Sequence, residues 1–155
     1  MRIVLLTLLL VLPISALAQI NLSDGATIQI QVAANERFTS TNVTVLKGEI
    51  YQITADGTWQ DAGFPSTDAN GFKGFTAPMF FGMLLKPMPS QYYMKLCGKV
   101  GGWKFSIGTS ATIKMKRTGK LIIFPNDAKG FFDNNHGIIT VTIKRGNYVK
   151  VIHHN

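Results

Sequence analysis

Gly119-Lys-Leu-Ile-Ile-Phe-Pro-Asn-Asp-Ala-Lys-Gly-Phe-Phe-Asp-Asn-Asn-His-Gly-Ile-Ile-Thr-Val-Thr-Ile-Lys144 is the stretch on which the fold turns. It holds the two clearest strands of the chain, Lys120 to Phe124 and Gly137 to Lys144, rich in β-branched and aromatic residues. Between them lies a loop of acids, amides and glycines, residues 126–137. Five of its residues offer carboxylate or amide oxygens: Asn126, Asp127, Asp133, Asn134 and Asn135. Such a loop has two readings from composition alone. Asp, Asn and Gly satisfy the backbone of any hairpin turn. They also supply the hard oxygen donors that calcium takes in flexible geometry. The spacing does not match an EF-hand, which needs alternating ligands and a closing glutamate.

Outward from this loop the chain continues in short strands. Ala26 to Val32 alternates strictly, with Ile28, Ile30 and Val32 on one face. Val43 to Leu46 is a short strand before the Lys47-Gly48 turn. Glu49 to Ala55 follows, with Tyr51, Ile53 and Ala55 on one side, and Asp56-Gly57 is expected to close it. Leu96 to Val100, Lys104 to Ile107 and Ala111 to Met115 read as strands separated by glycine-containing turns, and Tyr148 to Ile152 reads as a last strand. No amphipathic helix is evident beyond the N-terminal region. About eight short strands with regular turn signals predict an all-β fold, a jelly-roll-like β-sandwich. Residues 60–91 are the exception, rich in proline and glycine and poor in strand character. Loops of that length in a compact domain are functional or hold undetected structure. Met79, Met83, Met88 and Met94, with Phe80 and Phe81, are expected to pack part of it down.

At the N-terminus, Met1-Arg2 precedes the apolar run Ile3 to Leu12, and Ala16-Leu-Ala18 is a small-x-small cleavage signature. Residues 1–18 therefore read as a secretory signal peptide. The apolar run is too short for a membrane span, which needs roughly 20 residues. Taking 18 residues from the 155-residue chain leaves 137, residues 19–155, enough for a single domain. The mature protein is expected to be secreted or periplasmic, with no transmembrane segment once the signal is removed.

The single cysteine, Cys97, sits among apolar neighbours and reads as a buried hydrophobe. The histidines His136, His153 and His154 belong to no recognisable catalytic motif. The net charge is +8, yet the basic residues are dispersed, and the densest group, Lys114, Lys116 and Arg117, reads as a solvated strand face. No nucleic-acid motif is present, and no nucleic-acid partner is expected. A glycosidase would need two carboxylates across a cleft. The eight acidic residues are scattered, and neither a nucleophile elbow nor a zinc motif is found, so an enzyme is not expected.

Four stretches together resemble a known family. Gly119 and Leu121 lead into Asn126-Asp127, and Asn134-Asn135 precede Gly137. Val45 to Trp59 ends in Ala55-Asp-Gly-Thr-Trp59. Leu-Cys-Gly-Lys-Val-Gly101 and Phe105-Ser-Ile-Gly108 complete the set. This pattern is similar to that of the bacterial galactophilic PA-I-type lectins, within the wider galactose-binding-like jelly-roll group. It spans roughly Val43 to Ile143, with a poor match across Phe64 to Gln91. The resemblance implies one calcium ion per chain. Asp127, Asn134 and Asn135 would ligate through side chains and Phe131 through its carbonyl. A second carbonyl would come from the loop after Trp59, near Asp61 or at Ala62. With Asp127 bidentate that is about six oxygens, so two sugar hydroxyls would complete eight. Asp127 and Asn134 would also hydrogen-bond those hydroxyls, with Phe131 and Asp68 as further sugar contacts. Phe132, Trp59 and Phe64 would either flank the sugar or pack as loop core. The family's histidine in the middle loop has no counterpart between Trp59 and Leu96, where Asp68, Asn70 and Lys73 stand instead.

Two functions follow as expectations. One is a calcium-dependent lectin with a carbohydrate or glycoconjugate partner, in which assembly into a homo-oligomer would strengthen weak sites. The other is an exported interaction or structural domain whose calcium staples a loop without binding sugar.

Overall fold

The computed structural model describes residues 19–73 and 82–146. The signal peptide expected over 1–18, the strand expected over Tyr148 to Ile152, His153, His154, Met79, Phe80 and Phe81 lie outside the described residues.

The described residues form eight strands and two short 3-10 turns: β1 (Thr27–Ala33), β2 (Thr39–Val45), β3 (Ile50–Asp61), β4 (Leu96–Val100), β5 (Trp103–Ser106), β6 (Ser110–Lys114), β7 (Gly119–Pro125) and β8 (Asn135–Arg145), with the turns at Met83–Leu85 and Phe132–Asn134. They build two four-stranded antiparallel sheets, ordered β1-β8-β3-β6 and β2-β7-β4-β5. The all-β sandwich expected from the turn spacing is the fold observed. Among the described residues no helix is long and apolar enough to cross a membrane.

The core lies between the sheets. Val32, Tyr51, Ile53, Trp59, Ile139, Val141 and Ile143 enter it from one sheet, and Val43, Val45, Leu96, Val100, Leu121 and Ile123 from the other. These residues alternate with outward-facing ones along each strand, as a two-residue side-chain period requires. Met94 also joins this core. The basic group Lys114, Lys116 and Arg117 is exposed, as a solvated face would be.

One boundary differs from expectation in a way that matters. β3 does not stop at Asp56-Gly57; it runs on to Asp61. It pairs with β8 without a break from Tyr51↔Arg145 to Asp61↔Asn135. Two glycines make the close approach possible. Gly57 has φ +112, and a Cβ there would lie 2.8 Å from the Ile138 carbonyl oxygen. Gly137 has φ +98, and a Cβ there would lie 2.6 Å from the Thr58 carbonyl oxygen. Gly57 thus continues the strand, because a glycine tolerates both the positive φ and the backbone contact.

The long middle loop is tied down at several points. Thr67 bridges back to Trp59 through two backbone bonds of 2.8 and 3.0 Å. Asn126 is fully buried, and its side chain is used entirely by this loop. Its Oδ1 accepts from Met88 N at 2.9 Å, and its Nδ2 donates to the carbonyls of Met88 (3.0 Å), Tyr92 (3.0 Å) and Gln91 (3.3 Å). Asn126 is therefore a clamp, and it stands outside the oxygen set that its composition suggested. Met83 and Met88 are part-buried, while Leu84 and Leu85 are exposed.

Substituting Gly137→Ala should destabilise the protein by about 1–3 kcal/mol from the backbone conformation alone. Chemical denaturation would measure this, and a matched Gly130→Ala variant, where a Cβ meets nothing within 4 Å, should lose less.

Candidate functional site

The site is built where three segments end together. β3 delivers Asp61, and the chain then turns sharply at Ala62, whose φ of 44 is left-handed. β7 delivers Asp127 two residues beyond Pro125. The Phe132–Asn134 turn leads directly into Asn135, the first residue of β8. The Ala62 N–H donates to the Asn134 carbonyl at 3.2 Å, joining the first segment to the third. Lys129 N donates to the Leu85 carbonyl at 3.2 Å, which brings the middle loop alongside.

These segments enclose a cavity of about 370 Å³. Asp61, Ala62, Asp127 and Asn134 line its polar side, and Phe64, Leu85, Tyr93, Ala128 and Phe131 its apolar side. Phe131 and Leu85 are exposed at 54% and 53%, so this apolar wall opens to solvent. Of the aromatics expected near a ligand, Phe131 and Phe64 line the cavity. Trp59 and Phe132 are buried instead.

Asp127 is 1% exposed. Its Oδ1 accepts from the Ala128 N–H at 2.7 Å, and its Oδ2 accepts from Asn135 Nδ2 at 2.8 Å. Asn135 is also 1% exposed, and its Nδ2 reaches the Ala34 carbonyl at 3.3 Å as well. Its Oδ1 is buried and has no hydrogen-bond partner. A buried amide oxygen without a donor is costly. Asp61, 8% exposed, stands directly opposite Asn135 in the β3–β8 register. Two carboxylates and an orphaned amide oxygen therefore share one end of the sandwich.

The electrostatics follow from that crowding. Burial, and then the nearby Asp127 charge, push the Asp61 carboxyl up to about 6. Burial also raises Asp127, opposed by the bonds from Asn135 and Ala128 and by the Lys86 charge. Lys86 is itself buried, which lowers its pKa against the pull of Asp127. Its Nζ donates to the Gln91 carbonyl at 2.5 Å and lies 4.1 Å from the centre of the Tyr93 ring. Burial likewise raises the Tyr93 hydroxyl, with Asp127 and Asp61 adding to it. Cys97 is buried, and its thiol is pushed up to about 12, as expected for an inert hydrophobe.

Of the residues singled out in the sequence, Asp127, Asn134, Phe131 and Ala62 line the cavity, and Asn135 backs Asp127. Asp68 stands apart. Its carboxylate accepts from Asn70 N at 2.7 Å and Asn70 Nδ2 at 3.3 Å, in a turn beside Thr109. Asp133 is exposed on the 3-10 turn and does not line the cavity. Asp61 was legible only as a carbonyl donor, yet its side chain faces the site. The alternation Tyr51, Ile53, Ala55 continued past Gly57 places Trp59 and Asp61 on the same inward face, a signal obscured by reading Asp56-Gly57 as a turn.

The donors here are carboxylate, amide and carbonyl oxygens. Among the described residues no group of three or more His, Cys, Asp or Glu side chains that could hold a metal ion occurs; the oxygens gathered here are of the hard type that calcium takes. The orphaned Asn135 oxygen and the pair of crowded carboxylates both fit such an ion.

Raised carboxyl pKa values mean that the folded state holds these protons more tightly than the unfolded chain. In chelator-treated buffer, the contribution of Asp61 should be most favourable below about pH 4 and be lost as pH rises through about 6, by up to about 3 kcal/mol. The check is the difference in unfolding free energy between wild type and Asp61→Asn from pH 4 to 7. It should shift steadily in favour of the variant.

No family model matches the chain, and no curated protein matches it. Among solved structures, the N-terminal domain of EclA, described as a PllA-like lectin, superposes with a TM-score of 0.60. It is 22% identical, and the match covers 76% of this chain and 94% of that domain. The chain thus has a lectin-like β-sandwich fold.

Proposed function

We propose that this is a calcium-dependent carbohydrate-binding protein, with no catalytic role, acting after export through the signal sequence read at residues 1–18. One observation carries the proposal. Asp127 and Asn134 line one cavity with Ala62 and Phe131, and Asn135 bonds to Asp127 behind it, at the end of a sandwich that shares its fold with a lectin domain. Calcium bound there would supply a hard positive charge that accepts vicinal hydroxyls of one sugar ring into its coordination shell.

The residues divide that work. Asp127 is oriented by Ala128 N and Asn135 Nδ2, so its carboxylate is held in place before any ligand arrives. Asn135 backs it from a buried position, with an amide oxygen that still lacks a donor. Asn134 is exposed at the rim, where its amide can ligate and also hydrogen-bond a sugar hydroxyl. The carbonyls of Ala62 and Phe131 would complete the protein's share. Phe131 and Phe64 present aromatic carbon on which the apolar face of a pyranose can pack. Self-association would add avidity to sites that are individually weak.

The apolar character of the Phe64, Leu85, Tyr93 and Ala128 wall favours a second reading, in which calcium staples the loop and the exposed apolar rim meets another partner. Calorimetry on wild type and Asp127→Ala, followed by a glycan array with and without chelator, separates the two. The lectin reading expects calcium binding that Asp127→Ala abolishes, and glycan binding that the chelator removes. Calcium binding without any glycan signal establishes the staple. Absence of calcium binding at millimolar concentration overturns both.

A further inference from the structure

The proposed calcium site, as assembled from the β7–β8 loop, contains a single carboxylate, Asp127. The structure places a second one beside it. Asp61 ends β3, lines the same cavity as Asp127 and Asn134, and is 8% exposed. Its backbone pairs with that of Asn135, which puts the two side chains on one face of the sheet with Cβ atoms roughly 4.5–5.5 Å apart. Asn135 in turn donates to Asp127 Oδ2, so Asp61, Asn135 and Asp127 form one contiguous group. Among the described residues Asp61 has no ion-pair partner; the ion pairs there are those of Arg145 with Asp24 and Glu49. The cation whose charge acts on Asp127, Lys86, is engaged by the Gln91 carbonyl and the Tyr93 ring. Nothing in the fold of the strand requires a carboxylate at this inward position. A serine or asparagine would end β3 equally well and would not crowd Asp127.

A second observation points the same way. The Oδ1 of Asn135 is buried and unpartnered, in a side chain that is 99% shielded from solvent. An acid pair alone leaves that oxygen unexplained, because carboxylates offer it no proton when ionised. A cation serves all three groups, since each presents a hard oxygen.

We propose that Asp61 is a second carboxylate of the cation site, giving it two formal negative charges to match a divalent ion. This rests on the calcium reading above and extends it. Asp61 distinguishes this chain from a loop-only site in which β3 contributes no more than a carbonyl. The second charge raises affinity, because ligand charge count is one of the properties that sets calcium Kd. Asn134 and Phe131, both exposed and lining the cavity, would then be able to meet a sugar as well as the ion.

The test is calcium titration of the protein by calorimetry, with wild type, Asp61→Asn and Asp127→Asn compared. Asp61→Asn should weaken calcium binding by about tenfold or more, and should shrink the calcium-induced rise in Tm. In chelator its Tm should equal or exceed that of wild type, because a crowded charge has been removed. A merely structural role for Asp61 would lower that Tm instead. A wild-type measurement that does not depend on the variant's folding is the 13Cγ spectrum of aspartate-labelled protein. Calcium should shift the resonances of both Asp61 and Asp127. Wild-type affinity in Asp61→Asn, or an unmoved Asp61 resonance, overturns the proposal while leaving the calcium site intact. No calcium binding by wild type removes the reading on which it rests.

Discussion

The register between β3 and β8 is the constraint on which the rest of this structure depends. The two strands pair without interruption from Tyr51↔Arg145 to Asp61↔Asn135. Because side chains alternate with period two, a slip of one residue would turn every core side chain of β8 outward. Ile139, Val141 and Ile143 hold that register from the core. Gly57 and Gly137 permit it where the backbones come closest. The same register carries Asp61 to Asn135, so core packing and site assembly are set by one alignment.

At the far end of the same pair, Arg145 fixes the opposite edge. It pairs with Glu49 at 2.8 Å and Asp24 at 3.0 Å, and donates to the Leu22 carbonyl at 2.6 Å. Glu49 in turn accepts from the Tyr51 hydroxyl at 2.7 Å. The two ends are thus built by different logic. The Arg145 end sets two carboxylates around one guanidinium. The Asp61–Asp127 end gathers like charges and an unpartnered amide oxygen, a crowding that the proposed cation would relieve. Asn126 separates these roles within one loop: it locks residues 88–92 in place, and leaves Asp127 next to it to face the cavity.

The fold was largely legible from local pattern. Strict alternation in Ala26 to Val32 and the β-branched runs on either side of residues 126–137 mark strands that the structure contains, with ends displaced by one or two residues. The errors have a common cause. Asp56-Gly57 is a turn signal by composition, and only the presence of β8 across from it makes Gly57 a place for close backbone approach. Asn126 is a potential ligand by composition, and only the folding back of residues 88–92 uses up its hydrogen bonds. Asp68, likewise, spends its carboxylate on Asn70 in a local turn.

By itself the sequence determined that this chain is all-β, and that the loop between its two best strands carries a dense set of oxygen donors. Both are consequences of short-range periodicity and side-chain chemistry, which need no knowledge of distant residues. Tertiary structure alone decided which donors meet. Asp61 and Asn135 are 74 positions apart, and Asp127 reaches them only because β7 and β8 belong to opposite sheets that close at the same end. The physical reason is that a site is a property of register and burial, and both are fixed by packing across the sandwich, beyond the reach of any local run of residues.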